Sequence, residues 1–345
     1  MTELASLAAW LSAHGLQLAP GTTLQRLGGG IANRNEAIDL LGNMLGMGGP
    51  IAAVLRRPPP GLLAAGASDM AREARVLAAL APHFPLAPRL IAFCSDTAVL
   101  GTPFQLIERR AGIAIAGSLP AGCGDGTALI DTVLSAMAAL HGLDPQAMGL
   151  GDLGKPEGFF ARQLKGWTAR AAAVWPDGLP AAAAALIAAL AADIPAESGT
   201  PVLLHMDLKP DNLLVDPATL HPGAMIDWDM ATRGPRAFDL AVLLSYWIEP
   251  GDPAALKSLQ AVPSLSPGWP GRAEIAAHYR AISGHDAGDL VWPLALARLR
   301  LAVAWMQLYR KWQRGEMDGN RYQGFEPLAL AILGHAGDQL SKGTL

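Results

Sequence analysis

Cysteine and charge are both scarce in this chain of 345 residues. Its two cysteines, Cys94 and Cys123, stand far apart and outside any CxxC pair, so the sequence offers no zinc-site pattern and no disulfide framework. Charged residues make up 16% of the chain, and the formal net charge is -4. No basic excess or polybasic run points to nucleic acid or to an anionic membrane. We expect two reduced thiols in a cytoplasmic protein that binds neither.

Long apolar runs are missing as well. The segment Leu290–Leu308 is interrupted by Pro293, Arg298 and Arg300, and the alanine-rich run Ala181–Ala192 is shorter than the ~20 residues of a membrane span. The N-terminus does not have the basic region of a signal peptide. Because 51% of the residues are hydrophobic, a sizeable core can form. Length and composition therefore predict a soluble chain with two domains or one large two-lobed domain.

The first third of the chain combines short strand-like runs with two helices. Helices are predicted over Leu4–Leu16 and over Ser68–Leu80, with Ser68 as the N-cap of the second. Five runs have the composition of strands: Thr22–Leu27, Asn35–Leu41, Ile51–Arg56, Arg89–Phe93 and Pro103–Glu108. The turn and loop between the first three predict an antiparallel meander.

Helical periodicity dominates from about Gly126 onward. The predicted helices are Ala128–Leu140, Phe159–Ala173, Pro180–Ala192, Ala237–Trp247, Arg272–Ser283 and Leu290–Arg314. A β-rich island interrupts them with the runs Val202–Leu204, Asn212–Val215 and Ala224–Ile226. This order predicts an α+β fold, in which a small antiparallel-sheet lobe (residues 1–110) precedes a larger, mostly helical lobe (residues 111–345).

The β-rich island contains the residues that are most informative about chemistry. His205, Asp207 and Asn212 form an HxDxxxxN motif, and Asp227 follows a later apolar strand. Phosphoryl transfer needs a positioned hydroxyl and cations that offset the phosphate charge. Asp207 can accept or orient the hydroxyl proton, while Asn212 and Asp227 supply the oxygen ligands that Mg²⁺ prefers. Taken singly these residues are common turn formers, but their spacing on one hairpin favours a catalytic site, with His205 hydrogen-bonded beneath the loop.

This segment resembles the catalytic and metal loops of the aminoglycoside phosphotransferase and choline kinase-like family, relatives of the protein kinases. The similarity continues through Gly234–Leu240, where Asp239 matches a structural residue that ties the next helix to the catalytic loop. The chain is most similar to the kinase domain that also occurs fused to acyl-CoA dehydrogenases. The segments that carry this likeness include Leu55–Pro59, Arg72–Glu73, Gly101–Phe104, Leu140–His141, Pro156–Trp167, Tyr246–Trp247, Gly251–Pro253 and Arg300–Ala302. The resemblance implies a protein-kinase-like two-lobed fold and a kinase that uses ATP or GTP with Mg²⁺.

The resemblance also implies where the nucleotide binds. Gly29, Gly30 and Asn33 would belong to the turn that covers the phosphates, because glycines let main-chain amides approach phosphate oxygens. Taken alone, the three consecutive glycines suit a flexible turn better. Adenine would lie against the segment that contains Glu108 and Arg109, where main-chain groups usually make the contacts.

Two basic residues are candidates for phosphate contacts. Arg56 stands where protein kinases have a lysine on the third strand, and Glu73 is its expected partner, because a charge in the apolar stripe of a helix needs one. A surface Glu73 beside Arg72 is the alternative. Arg57 is the rival of Arg56: strand alternation puts the two on opposite faces, and the register implied by the resemblance favours Arg56. Lys209 resembles the kinase lysine that contacts the γ-phosphate; a solvated loop lysine is the alternative.

The composition of the C-terminal part bears on the acceptor. Residues 241–345 contain nine aspartates and glutamates and ten lysines and arginines, a balance that does not favour a polycationic aminoglycoside. One predicted helix carries four arginines and two tryptophans: Arg298, Arg300, Arg310, Arg314, Trp305 and Trp312. Arginine suits carboxylate or phosphate groups. Together with the resemblance, this predicts an anionic acceptor such as a hydroxyacyl-CoA. For each arginine alone, an extended surface position is the better reading.

Competing functions can be separated from the small-molecule kinase. A protein kinase needs an activation loop that ends in Ala-Pro-Glu, and only a short segment separates Asp227 from the helix that carries Asp239. A catalytically dead nucleotide-binding protein would not need all three of Asp207, Asn212 and Asp227. An aminoglycoside kinase stays the main alternative within the same enzyme class.

Overall fold

The computed structural model describes residues 2–28, 33–42, 49–58, 69–123, 126–258, 262–317 and 319–345. The N-terminal part of these ranges is a six-stranded antiparallel sheet with helices on both faces. Its strands are β1 (Leu16–Leu18), β2 (Gln25–Arg26), β3 (Arg34–Gly42), β4 (Gly49–Arg57), β5 (Leu90–Cys94) and β6 (Phe104–Glu108). Its helices are α1 (Glu3–Ala13), α2 (Met70–Leu80) and α3 (Thr97–Leu100). The strand order is β1-β3-β4-β6-β5, and β2 pairs with β3, so the predicted meander is present.

The remainder of the chain is mostly helical. Its helices are α4 (Gly126–His141), α5 (Phe159–Val174), α6 (Ala181–Ala192), α7 (Arg236–Ser245), α8 (Arg272–Ser283), α9 (Val291–Gln313) and α10 (Phe325–Lys342). Four short strands form two antiparallel pairs: β7 (Val202–Leu204) with β10 (Thr232–Gly234), and β8 (Leu213–Val215) with β9 (Pro222–Met225). In the described part of the chain, no helix is long and apolar enough to cross a membrane.

Strand β4 sends alternate side chains to two different cores. Leu55 packs in a cluster with Leu11 of α1, whereas its neighbour Val54 belongs to a cluster that includes Leu77 of α2. Successive strand residues face opposite sides of a sheet, so this pattern sets the orientation of the residues that follow. Arg56 consequently faces α2 and the helical part, and Arg57 faces α1.

The N-terminal helix is shorter than the sequence pattern predicts. It ends at Ala13 instead of Leu16, and Leu16–Leu18 forms β1 on β3. Gly15 adopts a left-handed conformation with φ 73°, which stops the helix before the proline and glycine at positions 20 and 21 that were expected to end it. The predicted strand Thr22–Leu27 is likewise reduced to Gln25–Arg26.

Besides β1, three α-helices or β-strands in the described part of the chain were not predicted: α3, β10 and α10. The first two are very short, and α10 contains Gly334 and Gly337, which weaken a helical pattern. The predicted cap Ser68 lies outside the described residues. Asp69 is the residue whose side chain accepts a hydrogen bond from the amide of Arg72 at the start of α2. A lobe boundary near residue 110 stays a prediction.

Candidate active site

Two loops meet at one end of a small hairpin. We call the segment 205–212, which carries the HxDxxxxN motif, the catalytic loop, and the segment after β9 that carries Asp227 and Asp229 the metal loop. The chain leaves β7 at Leu204, passes through residues 205–209 and a single 3₁₀ turn over Pro210–Asn212, and enters β8. The amide of Ile226 donates to the carbonyl oxygen of Asn212 at 2.9 Å, which brings Asp227 beside that turn. The hairpin predicted from the motif spacing is therefore present.

Asp239 holds the catalytic loop from the first turn of α7. Its carboxylate accepts hydrogen bonds from the amides of His205 (2.7 Å) and Met206 (2.6 Å), and His141 Nε2 lies 3.1 Å away. Burial raises the pKa of Asp239, but these partners, first His141, outweigh it and hold that pKa below its usual value. Met206 is left-handed, with φ 71°, a conformation that costs free energy unless its surroundings enforce it. The structural role predicted for Asp239 is confirmed by these contacts.

Asp207 is surrounded by hydrogen-bond donors. Its Oδ2 accepts from Lys209 Nζ at 3.2 Å and from Asn212 Nδ2 at 3.0 Å, and its Oδ1 accepts from the hydroxyl of Tyr246 at 3.1 Å. The carboxylate is held in one orientation yet keeps about a fifth of its surface exposed. This arrangement suits a group that must receive the hydroxyl of a small molecule at a defined position.

Lys209 is not the solvated loop lysine that was the alternative. Its side chain is 12% exposed, its Nζ lies 3.0 Å from Asp211 Oδ1, and it stands 5.4 Å from the ring centre of Tyr246. Burial lowers the pKa of Lys209, but the nearby carboxylates, first that of Asp207, outweigh it and hold the pKa above its ordinary value. The side chain is thus a charged group beside the carboxylate of Asp207; the catalytic role of that carboxylate and the contact of Lys209 with a γ-phosphate stay predictions.

His205 lies beneath the loop. Its Nε2 is 2.9 Å from the carbonyl oxygen of Ile226, its Nδ1 accepts from the amide of Asp207, and its ring packs against Trp228 with centroids 4.7 Å apart. Burial lowers the pKa of His205, so the neutral ring is favoured. The predicted packing role is confirmed.

Arg56 joins the sheet to the metal loop. Its Nε donates to Glu73 Oε2 at 2.9 Å, its Nη1 donates to Asn35 Oδ1 at 3.2 Å, and its Nη2 pairs directly with Asp227. Glu73 also accepts the amide of Trp228. The predicted Arg56–Glu73 ion pair is therefore present, and a surface position for Glu73 is excluded, because its side chain is 1% exposed.

The charges around Arg56 depend on one another. Burial lowers the pKa of Arg56, but Asp227 and Glu73 outweigh it and raise that pKa. Burial raises the pKa of Asp227, but the positive groups around it, first Arg56, together outweigh burial, so that pKa is lowered. For Glu73, burial prevails and the pKa is raised. Removing any one partner would leave a buried charge without compensation.

Arg57 has a separate set of partners on the opposite face of the sheet. It pairs with Glu36 at 2.8 Å and with Glu3 of α1 at 3.0 Å. The alternation argument that set it apart from Arg56 is confirmed. Arg57 thus ties α1 to the sheet.

The residues predicted to hold Mg²⁺ offer oxygen donors. Asn212 uses its amide nitrogen for Asp207, so its amide oxygen is the atom that a cation would take. Sequence reasoning assigned no role to Asp229, the second carboxylate on this loop. Burial is the main cause that raises the pKa of Asp229 to about 7, and the negative charge of Asp227 is the second. Such a rise is expected where two carboxylates share a site. An amide oxygen and carboxylate oxygens are the hard donors that Mg²⁺ prefers, so the residue types present fit a magnesium site.

The predicted nucleotide turn is described only in part. Gly29 and Gly30 lie outside the described residues, and Asn33 is buried just before β3. At the predicted adenine segment, the amides of Glu108 and Arg109 already donate to the carbonyl oxygens of Arg89 and Ala52. Adenine contacts at these two residues stay a prediction, and their amides are not the groups that would make them.

Two functional positions were missed by sequence reasoning. Tyr246, the C-cap residue of α7, follows Asp239 by seven positions, about two helical turns, so both side chains point to the catalytic loop. That spacing was the available signal. Arg72 reaches from α2 to the carbonyl oxygens of Asp229 and Ala231 and fastens the metal loop to the sheet side. Its sequence position alone gave no sign of this contact.

The Arg56–Glu73 ion pair has a matched control in the neighbouring Arg57–Glu36 pair. We expect Glu73→Gln to raise the KM for nucleotide about tenfold, because the removed charge leaves Arg56 misplaced, and to lower the free energy of unfolding by about 1–3 kcal/mol. Glu36→Gln disturbs the equally buried partner of Arg57 and should lower stability similarly without changing that KM. Steady-state kinetics and chemical unfolding of both variants test this. Equal KM effects in the two would remove Glu73 from nucleotide binding.

Fold and site together define a two-lobed, kinase-like phosphotransferase. The chain belongs to the phosphotransferase enzyme family, whose model matches residues 23–275. It is 29% identical over 299 residues to human acyl-CoA dehydrogenase family member 11, a match that covers 84% of this chain and 37% of the human protein. The chain therefore spans little more than a third of that relative. The resemblance inferred from the motifs is confirmed.

Solved structures confirm the fold class. A "putative aminoglycoside phosphotransferase" from Ralstonia eutropha has a TM-score of 0.77 and 26% identity, with 98% of both chains covered. A thermostable mutant of aminoglycoside phosphotransferase APH(4)-Ia, in complex with AMP-PNP and hygromycin B, has a TM-score of 0.60 and 17% identity, with 99% of this chain and 97% of that chain covered. The protein is accordingly a phosphotransferase that acts on a hydroxyl acceptor.

Proposed function

We propose that the protein transfers the γ-phosphate of ATP, or of GTP, to a hydroxyl of an anionic metabolite such as a hydroxyacyl-CoA. The observation that carries this proposal is the environment of Asp207, whose oriented and partly exposed carboxylate is held by Lys209, Asn212 and Tyr246. A carboxylate so placed can accept the proton of an incoming hydroxyl. A structure of similar fold that holds AMP-PNP supports ATP as the donor.

The charged side chains divide the work of phosphoryl transfer. Asn212, Asp227 and Asp229 would hold Mg²⁺, which supplies positive charge to the β- and γ-phosphates. Arg56, held by Glu73, would contact phosphate oxygens through its fork of donors. Asp207 would orient the hydroxyl and take its proton. The short segment from Asp229 to the start of α7 leaves no room for a peptide-binding activation loop, which supports a small acceptor.

Two observations support an anionic acceptor. The C-terminal part has as many basic as acidic residues, whereas a polycationic sugar would need an excess of carboxylates. The human relative is named as a member of the acyl-CoA dehydrogenase family, and a kinase domain within such a protein would meet acyl-CoA thioesters. The proposed acceptor is therefore a hydroxylated acyl compound.

The test is nucleotide consumption across a panel of hydroxyl compounds. The panel contains hydroxyacyl-CoA thioesters, free hydroxy acids, ethanolamine, kanamycin and hygromycin B, each with ATP and with GTP, and product formation is followed by phosphorus NMR. Turnover that is confined to the acyl compounds supports the proposal. Efficient phosphorylation of the sugars, with none of the acyl compounds, would restore the aminoglycoside interpretation.

Metal dependence provides a separate prediction. Asp227→Ala should raise the Mg²⁺ concentration needed for half-maximal nucleotide binding more than Asn212→Ala does, because the aspartate contributes a formal charge to the cation. Asp152→Ala, which removes an exposed carboxylate paired with Arg75, is the control and should leave that concentration unchanged. Titration of Mg²⁺ at fixed nucleotide, followed by calorimetry, measures all three. Unaltered Mg²⁺ dependence in Asp227→Ala would contradict the assignment.

A further inference from the structure

The four arginines that the sequence places on one long helix near the C-terminus lie in different surroundings. Arg314, just beyond α9, is exposed and pairs with Glu316, and Arg310 donates to a main-chain carbonyl at 2.9 Å. Arg298 and Arg300 are both buried, but a separation of two residues points them to different sides of the helix. Arg300 is the one of the four that approaches the catalytic carboxylate, with Nη2 4.0 Å from Asp207 Oδ1.

The guanidinium of Arg300 is buried without a full set of acceptors. Its side chain is 7% exposed, and its Nε has no hydrogen-bond partner among the described residues. Nη2 lies 3.0 Å from Met230 Sδ, and the guanidinium stands 5.9 Å from the ring centre of Trp167. A thioether is a weak acceptor, and a distance of 4.0 Å to Asp207 exceeds a direct hydrogen bond.

Such an environment is unusual for a group that only supports the fold. Buried donors in proteins are nearly always paired, and a guanidinium suits planar oxygen pairs better than sulfur. The neighbours Asp207 and Tyr246 already bond to each other, so they do not complete the set. The remaining acceptor is most simply an oxygen that arrives with the substrate, beside the carboxylate that receives its hydroxyl.

We propose that Arg300 determines acceptor specificity by binding an acyl oxygen, either of a carboxylate or of a thioester carbonyl, close to the hydroxyl that is phosphorylated. This inference rests on the proposed function and narrows it. With the hydroxyl on Asp207 and the acyl oxygen on Arg300, the two substrate oxygens lie less than about 10 Å apart. The phosphates of coenzyme A, at the far end of the pantetheine arm, are out of that reach. Arg300 would therefore contact the acyl group and not the coenzyme.

The substrates for the test share one secondary hydroxyl and differ at the position of the acyl oxygen. The acceptors are 3-hydroxybutyrate, 3-hydroxybutyryl-CoA and 2-butanol, which keeps the hydroxyl and has no oxygen at the acyl carbon. We expect Arg300→Met to raise the KM of the two acyl compounds about tenfold to a hundredfold, the value of one lost charge-assisted hydrogen bond, and to leave the KM of ATP unchanged. Arg300→Lys should recover part of the loss. Arg314→Met, on an exposed arginine, is the control and should match the wild type.

Two results would overturn the inference. An equal fall of kcat for the two acyl compounds and for 2-butanol, with KM unchanged, would mean that Arg300 acts only on Asp207. Wild-type kinetics for Arg300→Met would remove it from the site. Calorimetric binding of the same compounds in the presence of AMP-PNP does not require turnover: binding that Arg300→Met weakens, without phosphorylation by the wild type, keeps the inference and defeats the proposed kinase reaction. Absence of binding by either acyl compound defeats the inference.

Discussion

Replacing Asp207 with asparagine is expected to lower kcat by about 10²–10⁴-fold while nucleotide binding stays close to that of the wild type. The asparagine side chain retains the size of the carboxylate. Its amide oxygen can take the place of Oδ2 and accept from Lys209 and Asn212, while its NH₂ group can donate to the hydroxyl oxygen of Tyr246, so the loop should keep its shape. What it loses is the negative oxygen that, in the proposed reaction, receives the hydroxyl proton. Single-turnover kinetics and nucleotide titration of the same preparation measure the two effects separately.

The control for this variant is Asp216→Asn. Asp216 lies on the same hairpin but is exposed and accepts the amides of Ala218 and Thr219 within its own turn. It should retain wild-type turnover. A near wild-type rate in Asp207→Asn would remove Asp207 from the mechanism, and a parallel loss of nucleotide binding would show that the loop, and not the proton acceptor, had been damaged.

The largest expected effect on stability belongs to Asp239→Ala. This change leaves the buried amides of His205 and Met206 without their acceptor and deprives His141 of its partner. Removing one member of a buried charged network typically costs about 3–5 kcal/mol. We expect a loss of that size in denaturant unfolding together with loss of turnover, because Asp207 follows directly on the loop that is released.

The effect should depend on pH in a defined direction. The pKa of Asp239 is lower in the folded protein than in the unfolded chain, so its stabilising contribution is complete above the unfolded value of about 4 and is lost as the pH falls through the folded value. The stability difference between the wild type and Asp239→Ala should therefore shrink in acid. A difference that is constant down to the acid unfolding limit would indicate that Asp239 acts through packing instead of charge.

The sequence was informative where local pattern and chemistry coincide. The HxDxxxxN motif and the aspartate after β9 predicted the hairpin and its three polar residues, because main-chain pairing brings them together whatever the rest of the fold does. The choice of Arg56 over Arg57 followed from strand alternation, together with the family resemblance, for a similar reason. The predicted end of α1 was wrong, because the chain becomes left-handed at Gly15 directly after the helix. The spacing of hydrophobic residues does not show at which glycine this will happen.

Contacts between distant elements could not be predicted in the same way. Arg72 reaches the metal loop across more than a hundred and fifty residues of sequence, and Arg300 approaches Asp207 from a helix near the C-terminus. Nothing in their local surroundings separates them from the exposed arginines of the chain. Only the packing of the helices decides which basic side chains reach the site.

The two adjacent arginines of β4 have a consequence for how the sheet must assemble. Each meets a buried glutamate, Arg56 with Glu73 and Arg57 with Glu36, so charge alone would accept either arginine in either place. If β4 paired with its neighbours one residue out of register, Arg56 and Arg57 would exchange the faces of the sheet to which they point. The same slip would turn Leu55 away from the core beneath α1. The apolar residues of the strand therefore fix its register, and with it which guanidinium faces Asp227 and which faces α1.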